Sequence, residues 1–258
     1  MLISLSTLLS RAKRRKQPVI APVVRDIEVA EAVLQAAEAE RQSILFVLAD
    51  DPAGVIPLSF LFSYVRQRAA HLETEISLQL RVPMQESAVK QALALGADSL
   101  SLEIHAEDAK ITTVRFTAWA AAEAGRERAG MIGNLPDVTT LTKTEAFVRQ
   151  TGVAALTVPV LMRHGQRSSV SPVFLRDLAA AVRIPVLASD LEAAPRWIKP
   201  ALKAGVAGFY LDVSLDEAFT AGVRTALRNR SLHRPGTYLT TGVLAVRESV
   251  KQYIRLSK

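Results

Sequence analysis

The sequence predicts a fold of the α/β class, a single (β/α)8 TIM barrel with an extra C-terminal helix. Short apolar runs rich in β-branched residues alternate with Ala- and Leu-rich amphipathic segments along the whole chain. Eight such strand-helix units follow one another at intervals of roughly 25–30 residues, which favours a closed barrel over a doubly wound open sheet. The length of 258 residues suits one domain of this kind, and no low-complexity linker divides it. We therefore expect one domain over residues 1–258.

The elements follow one another in a regular order. Strands are predicted at residues 18–24, 43–49, 76–82, 99–105, 127–132, 154–161, 185–189 and 208–213. Helices are predicted at 27–40, 86–95, 108–124, 143–150, 172–182, 193–204 and 215–229, and the tail 239–254 adds one more. Gly96, Gly125, Gly152 and Gly205 each follow a helical segment, where a C-cap glycine is expected. In such a barrel the functional side chains lie at the carboxyl ends of the strands.

The composition excludes several classes of protein. The chain has no cysteine, which excludes a disulfide framework, a thiolate metal site and a cysteine nucleophile, and which fits a reducing compartment. The short apolar stretch at the N-terminus is followed by basic residues, whereas in a secretory signal they precede it. No apolar stretch approaches the length of a membrane span. We expect a cytoplasmic protein that does not bind a membrane.

The chain is basic, with a formal net charge of +7 and a pI near 9.9. The densest run of positive charge, Arg-Ala-Lys-Arg-Arg-Lys, covers residues 11–16. It can be a binding patch or the solvated end of a helix. Aromatic residues do not interleave with it, as a base-stacking surface would require, so nucleic acid is not favoured as a partner.

Several segments occur in the order and spacing of one known family. Ser-Thr-Leu-Leu-Ser-Arg-Ala stands at 6–12, and Thr-Lys-Thr-Glu-Ala-Phe-Val-Arg-Gln-Thr-Gly at 142–152 precedes the Arg-His-Gly of 163–165. Gly-Val-Ala-Gly-Phe-Tyr-Leu-Asp-Val-Ser-Leu-Asp-Glu-Ala-Phe stands at 205–219. Together these segments resemble the class II, metal-dependent fructose-bisphosphate and tagatose-bisphosphate aldolases over nearly the whole chain. The resemblance implies a TIM barrel, zinc-dependent carbon–carbon cleavage of a sugar phosphate, and assembly into dimers or larger oligomers.

The zinc ligands of that family are mostly replaced. Gln-Leu-Arg-Val at 79–82 stands where the family has His-Leu-Asp-His, so Arg81 replaces the proton-transferring aspartate and Val82 a zinc-binding histidine. Ala188 stands at the position of another ligand, and only His164 remains of the three. Since catalytic zinc takes three protein ligands and one open position, we expect no cofactor, or zinc only if the chain is an active lyase.

Other parts of the family's site also differ. Met131 replaces a glutamate, and Ala-Ser-Asp-Leu-Glu at 188–192 replaces the His-Gly-Gly-Ser-Gly that cradles phosphate. Gly-Phe-Tyr at 208–210 replaces the Lys-Ile-Asn that positions the substrate, and Glu103 replaces an aspartate. These differences predict that the zinc site is degenerate.

Three histidine and glutamate side chains are the remaining candidates for catalysis and metal binding. Glu103 and His164 are the catalytic candidates, and His164 with His105 is the residual metal candidate. If their strand ends converge, these three residues would form a site of two histidines and one carboxylate. Asp50 and Asp51 can be an acid pair or solvated helix-capping groups.

The ligand-binding candidates are residues that could hold an anion. Gly165, Ser189, Asp212 and Ser214 stand where the resemblance implies that substrate phosphates bind. Arg81 could capture an anion as well. Alternatively it forms an ion pair with Glu103 on the neighbouring strand, and this pair is what we expect.

Three functions follow from these observations. The first is a pseudoenzyme, a non-catalytic aldolase-like barrel that serves as a structural or regulatory subunit of a homo-oligomer or of a hetero-oligomer with another protein. The second is an active aldolase, or lyase, on a sugar phosphate with a rebuilt metal site. The third is a sensor that binds a phosphorylated small molecule without turnover. Because the differences at the family's site segments all remove catalytic groups, the first hypothesis is the one we expect.

Overall fold

The structure is a computed structural model that describes residues 1–51, 54–104, 110–135, 140–160 and 171–258. The strands are β1 (Val19–Val24), β2 (Ile44–Ala49), β3 (Ile76–Pro83), β4 (Ser99–Glu103), β5 (Gly130–Asn134), β6 (Ala155–Pro159), β7 (Val186–Ser189) and β8 (Gly208–Leu211). The first five helices are α1 (Leu5–Arg15), α2 (Ile27–Ala39), α3 (Leu58–Ala70), α4 (Glu86–Ala94) and α5 (Lys110–Arg126). They are followed by α6 (Leu141–Thr151), α7 (Pro172–Val182), α8 (Ile198–Lys203), α9 (Val213–Ala226) and α10 (Pro235–Ser257).

The eight strands form one closed parallel barrel in chain order, and this confirms the predicted fold class. At the closing seam β1 pairs with β8, with Val19 in register with Gly208 and Ala21 in register with Tyr210. The seam requires a glycine, because a Cβ at Gly208 would lie 2.0 Å from the Val19 carbonyl oxygen. The extra C-terminal helix is α10, which packs against α2 and α9 and buries Val246 and Val250.

Apolar side chains fill two layers. The larger layer lies between the strands and the surrounding helices, and the smaller one fills the barrel interior. Leu5 and Leu8 of α1 belong to the interior layer, so this helix covers the amino end of the barrel. Ser4 caps α1 by accepting a hydrogen bond from the Thr7 amide. The barrel is therefore closed at its amino end, and its open end is the carboxyl end.

One helix was missed by the sequence prediction. Helix α3 begins after Pro57, which provides no side-chain cap, and its buried face carries Leu61, Phe62, Val65 and Ala69. The spacing of Leu61, Val65 and Ala69 is the i, i+4, i+8 pattern of a helix, so the periodic signal was present without a start signal.

Other predicted boundaries were wrong by a few residues. The fifth strand begins at Gly130 rather than at 127, because α5 continues to Arg126 and Arg128 takes the left-handed turn that we assigned to Gly125. The helix predicted at 193–204 is shortened to α8, which follows two 3-10 turns at Leu191–Ala193 and Pro195–Trp197. Pro195 lacks an amide hydrogen and restricts the residue before it, which explains the interruption.

None of the helices in the described part of the chain is long and apolar enough to cross a membrane.

Candidate functional site

A cavity of about 600 Å³ opens at the carboxyl end of the barrel. Residues from six strands, β3 to β8, reach it, and the lining includes Arg81, Glu103, Asn134, Ser189, Tyr210 and Asp212. This is the face on which a (β/α)8 barrel carries its functional residues. We therefore take this cavity, called here the mouth, as the candidate functional site.

The mouth contains a chain of three charged side chains. Asp212 follows β8 and accepts hydrogen bonds from Arg25 at 2.7 Å and from Arg81 at 3.0 Å. Arg25 also lies 3.6 Å from the carboxylate of Asp216. Burial tends to raise the pKa of Asp212, but the hydrogen bond from Arg25 and the charge of Arg81 outweigh it and hold this pKa below its usual value. Asp212 is therefore an ionised bridge between two guanidinium groups.

A buried polar column supports Arg81 from below. Its guanidinium lies 5.7 Å from the ring centroid of Tyr210, a cation–π distance. The Tyr210 hydroxyl donates to Gln79 at 3.2 Å, and Gln79 donates to Ser101 at 2.6 Å. Burial raises the pKa of Tyr210, which keeps its hydroxyl protonated as a donor. The column holds the Tyr210 ring, and with it Arg81, in one position.

The amino end of α9 is occupied by a carboxylate of the chain itself. Glu192, in the turn after β7, accepts from the backbone amides of Asp212 at 2.7 Å, Val213 at 2.9 Å and Ser214 at 3.3 Å. It also accepts from the Ser214 hydroxyl at 2.6 Å. The amino end of a helix favours an anion because its amides are free and its dipole is positive there. Here that anion is the carboxylate of Glu192.

Some of the predicted site residues lie at the mouth and others do not. Arg81, Ser189, Asp212 and Glu103 line the mouth, and Ser214 lies beside it in the Glu192 contact. Three further candidates lie outside the described residues: His105, His164 and Gly165. The acid pair of Asp50 and Asp51 is absent from the lining of the mouth.

The predicted ion pair between Arg81 and Glu103 is wrong. Arg81 pairs with Asp212 instead, across the barrel from β4. The register explains the difference, because Arg81 lies opposite Ser101 while Glu103 lies opposite Pro83, two residues nearer the rim. Strand adjacency alone did not predict this offset.

Two charged residues of the site, Arg25 and Glu192, were not predicted from the sequence. Arg25 directly follows β1, and closure of the barrel next to β8 brings it to Asp212. Glu192 ends the segment 188–192 that replaces a glycine-rich motif of the family. A carboxylate in place of a phosphate-binding glycine was the available signal.

The described residues of the mouth do not fit a zinc ion. Among them, no three His, Cys, Asp or Glu side chains lie close enough together to hold a metal. Val82 and Ala188, which the resemblance aligns with two family ligands, are buried in the layer between strands and helices. The positive charge of Arg81 lies where a cation would have to compete with it for Asp212.

Comparison with known proteins gives one family. Residues 3–258 match the family described as fructose-bisphosphate aldolase class-II. The 6-phospho-5-dehydro-2-deoxy-D-gluconate aldolases of Bacillus velezensis and Bacillus subtilis are each 23% identical to this chain over 274 residues, covering 98% of it and 94% of each relative.

Solved structures agree with this comparison on the fold. The YdjI aldolase from Escherichia coli superimposes with a TM-score of 0.87 at 17% identity, covering 100% of this chain and 97% of that one. The fructose-bisphosphate aldolase from Campylobacter jejuni gives a TM-score of 0.82 at 15% identity, covering 99% and 95%. The match of the family over nearly the whole sequence is the stronger result, and the chain belongs to the class II fructose-bisphosphate aldolase family.

Proposed function

We propose that this chain is a non-catalytic member of its family, a pseudoenzyme that serves as a structural or regulatory subunit of an oligomer. The observation that carries the proposal is the bridge of Arg25, Asp212 and Arg81 across the mouth. The groups that would meet a substrate or a metal ion are bound to one another.

The chemistry of these residues supports the same conclusion. Class II cleavage depends on a divalent cation that stabilises an enediolate, and on a side chain that transfers a proton. Arg81 stands at the position of the proton-transferring aspartate, and a guanidinium stays protonated at neutral pH and does not act as a proton shuttle. Asp212 carries a negative charge, but its two oxygens already accept from two arginines.

Glu192 supports the proposal from the other side of the mouth. A phosphate group at the amino end of α9 would have to displace a carboxylate that accepts four hydrogen bonds. Its charge would also repel an incoming anion. A substrate phosphate would therefore compete with the Glu192 carboxylate, and a metal ion would compete with the arginines bound to Asp212.

Exposed apolar side chains support the subunit role. Five large apolar residues are exposed near the first turns of helices that follow strands, which places them around the carboxyl end of the barrel: Val55, Phe60, Ile111, Val173 and Val213. Apolar side chains exposed at one end of a protein are typical of a surface that another chain covers.

An activity assay tests the non-catalytic part of the proposal. The purified protein is incubated with 6-phospho-5-dehydro-2-deoxy-D-gluconate beside the Bacillus subtilis relative, and with fructose 1,6-bisphosphate beside the Campylobacter jejuni aldolase, each with added zinc. We expect cleavage by these two positive controls and none by this chain. Cleavage by this chain, if a metal chelator abolishes it, would contradict the proposal and favour the active lyase. Glu103, His105 and His164 would then be the residues to substitute.

Light scattering tests the subunit part. We expect a mass above the 28.0 kDa of one chain, either alone or with a co-purified partner. Phe60→Ser and Val173→Ser together should lower that mass, whereas Leu244→Ser, an exposed apolar residue of α10, is the matched control. A mass of one chain over a wide concentration range, with no partner recovered, would contradict the subunit role.

A further inference from the structure

A groove follows α1 across the amino end of the barrel, opposite the mouth. It consists of two cavities of about 520 Å³ and 460 Å³ that share Leu9, Lys13 and Pro185 in their lining. The larger one extends toward the ends of α7 and α8, and the smaller one toward the first residues of β5 and β6. We call the two cavities together the basal groove.

The sides of the basal groove are positively charged. Lys13, Lys16, Arg128 and Arg183 contribute to its lining, and all four are exposed. Within the described part of the chain none of the four forms an ion pair, whereas Arg11 and Arg15 of the same helix are both held by Glu75. The run at 11–16 is therefore divided, with two cations used internally and Lys13 and Lys16 left at the groove.

The lining contains little negative charge to balance these cations. Of the lining residues that the structure describes, Asp98 is the acidic one, and its carboxylate accepts a hydrogen bond from the Leu78 amide at 2.8 Å. Burial raises the pKa of Asp98 above its usual value. The groove thus keeps an excess of positive charge.

Three of the four cations occupy strained backbone positions. Lys16, Arg128 and Arg183 have φ angles of 53°, 59° and 56°, in the left-handed region that favours glycine. Each follows a helix. The corresponding position is a glycine after three other helices, namely Gly96, Gly152 and Gly205, and it is Arg41, outside the groove, after α2. Glycine suits each of these positions, so the three charges can be removed there without strain on the backbone.

The floor of the groove is apolar, and the residues that the structure describes there include no aromatic ring. Leu9, Ile184 and Val206 form part of it. An apolar floor between basic sides suits a ligand that has both carboxylates and apolar side chains. Single-stranded nucleic acid would lack stacking partners here. Two copies of this groove facing each other would repel, because each carries the same excess of positive charge.

We propose that the basal groove docks an acidic segment of a partner protein, one in which apolar side chains are interspersed among Asp and Glu. The charges would steer the encounter, and the apolar side chains would supply the buried contact. This inference rests on the subunit function proposed above and states the kind of partner that the subunit binds. Its binding surface lies at the opposite end of the barrel from the mouth, so the two can fail separately.

The test measures binding of a fluorescein-labelled peptide of alternating Glu and Leu pairs by fluorescence anisotropy. We expect the peptide to bind the full chain with an affinity that falls as salt is added. A control peptide with Lys in place of Glu should not bind. The triple variant Lys16→Gly, Arg128→Gly and Arg183→Gly should weaken binding by about tenfold or more, from the loss of three charges. Because glycine suits all three backbone positions, the variant should melt no lower than the parent.

Arg41→Gly is the matched control. Arg41 is exposed and has a φ of 50°, but it is absent from the lining of both cavities. This variant should bind the peptide like the parent. Equal losses in the control and the triple variant would overturn the proposal, as would unchanged binding by a folded triple variant. Tighter binding of an oligonucleotide or of phosphatidylserine vesicles would also overturn the peptide assignment. Aldolase activity, which reads only the mouth, tests the proposed function independently of these results.

Discussion

The bridge across the mouth predicts an unequal response to removal of its members. Asp212→Asn keeps the shape of the side chain but removes the charge that two arginines share. Arg81→Met removes one arginine and leaves Asp212 with Arg25. Loss of Asp212 should therefore destabilise the protein more than loss of Arg81.

The magnitude follows from distance and burial. The side chains of Arg81 and Asp212 are 20% and 25% exposed, and their charged atoms lie 3.0 Å apart. Coulomb attraction of about 5.5 kcal/mol is expected at this separation with an effective dielectric constant of about 20, and desolvation offsets much of it. We expect Arg81→Met to cost about 1–2 kcal/mol, between exposed and fully buried pairs. Asp212→Asn should cost about 2–4 kcal/mol, because it leaves two cations facing each other.

Urea unfolding followed by circular dichroism measures both costs at pH 7. Glu103→Leu serves as a matched control, since Glu103 lines the same cavity but is not the partner of Arg81. Combined with Arg81→Met, Asp212→Asn should cost less than the sum of the two single changes, whereas Glu103→Leu, whose charge acts on Arg25 without a direct contact to Arg81, should come closer to additivity. Recovery of stability by Glu103→Leu, or an Asp212→Asn variant as stable as the parent, would refute the bridge.

The pH dependence gives a second test of the same bridge. The pKa of Asp212 is lower in the folded protein than its usual value. Its stabilising contribution is therefore full above the unfolded pKa of about 3.9 and is lost as the pH falls through the lower folded pKa. The difference in stability between the parent and Asp212→Asn should shrink below pH of about 3.9. A difference that stays constant down to pH of about 2 would contradict this assignment.

Three further predictions concern other parts of the barrel. Glu192→Ala should lower the stability by about 1–3 kcal/mol in a thermal melt, because it leaves the amides at the start of α9 without their acceptor, and a neutral result would contradict the cap. Contacts with Arg68 lower the pKa of Glu31 to about 2, so this carboxylate stabilises the fold less as the pH falls from about 4.3 to about 2. Acid unfolding of Glu31→Gln should therefore show a smaller loss of stability over this pH range, and the same loss as in the parent would contradict the prediction. Gly208→Ala should prevent formation of the native barrel, since its Cβ would lie 2.0 Å from the Val19 carbonyl oxygen, and a native circular dichroism spectrum would exclude this contact.

The barrel could be predicted from the sequence because its signals are local. Apolar runs of strand length and helical periodicity each depend on neighbouring residues, and all eight strands were identified from them. Errors arose where a signal was weak or ambiguous. Helix α3 has no side-chain cap, and at the end of α5 the left-handed turn belongs to Arg128, an unusual residue there, rather than to Gly125.

The site was less predictable because its contacts are not local. Arg81 and Asp212 are 131 positions apart, and their approach depends on the register around the whole barrel. The resemblance to the family identified both positions, but it carried no information on a pairing that the aldolase motif lacks. Glu192 depends on a 3-10 turn that places its carboxylate beneath α9, and periodicity does not predict such a turn.

The substitutions at the mouth depend on one another. An arginine at position 81 in place of an acid puts a second cation near Arg25, and the shared carboxylate of Asp212 compensates both. An Asp at position 81 would leave Asp212 with one arginine and add a second carboxylate to the mouth, with Glu192 still at the start of α9. Arg81→Asp alone should therefore destabilise the mouth without restoring a cation site, since coupled neighbours do not contribute additively. This interdependence is what the proposed loss of catalysis predicts of a mouth whose charged groups are bound to one another.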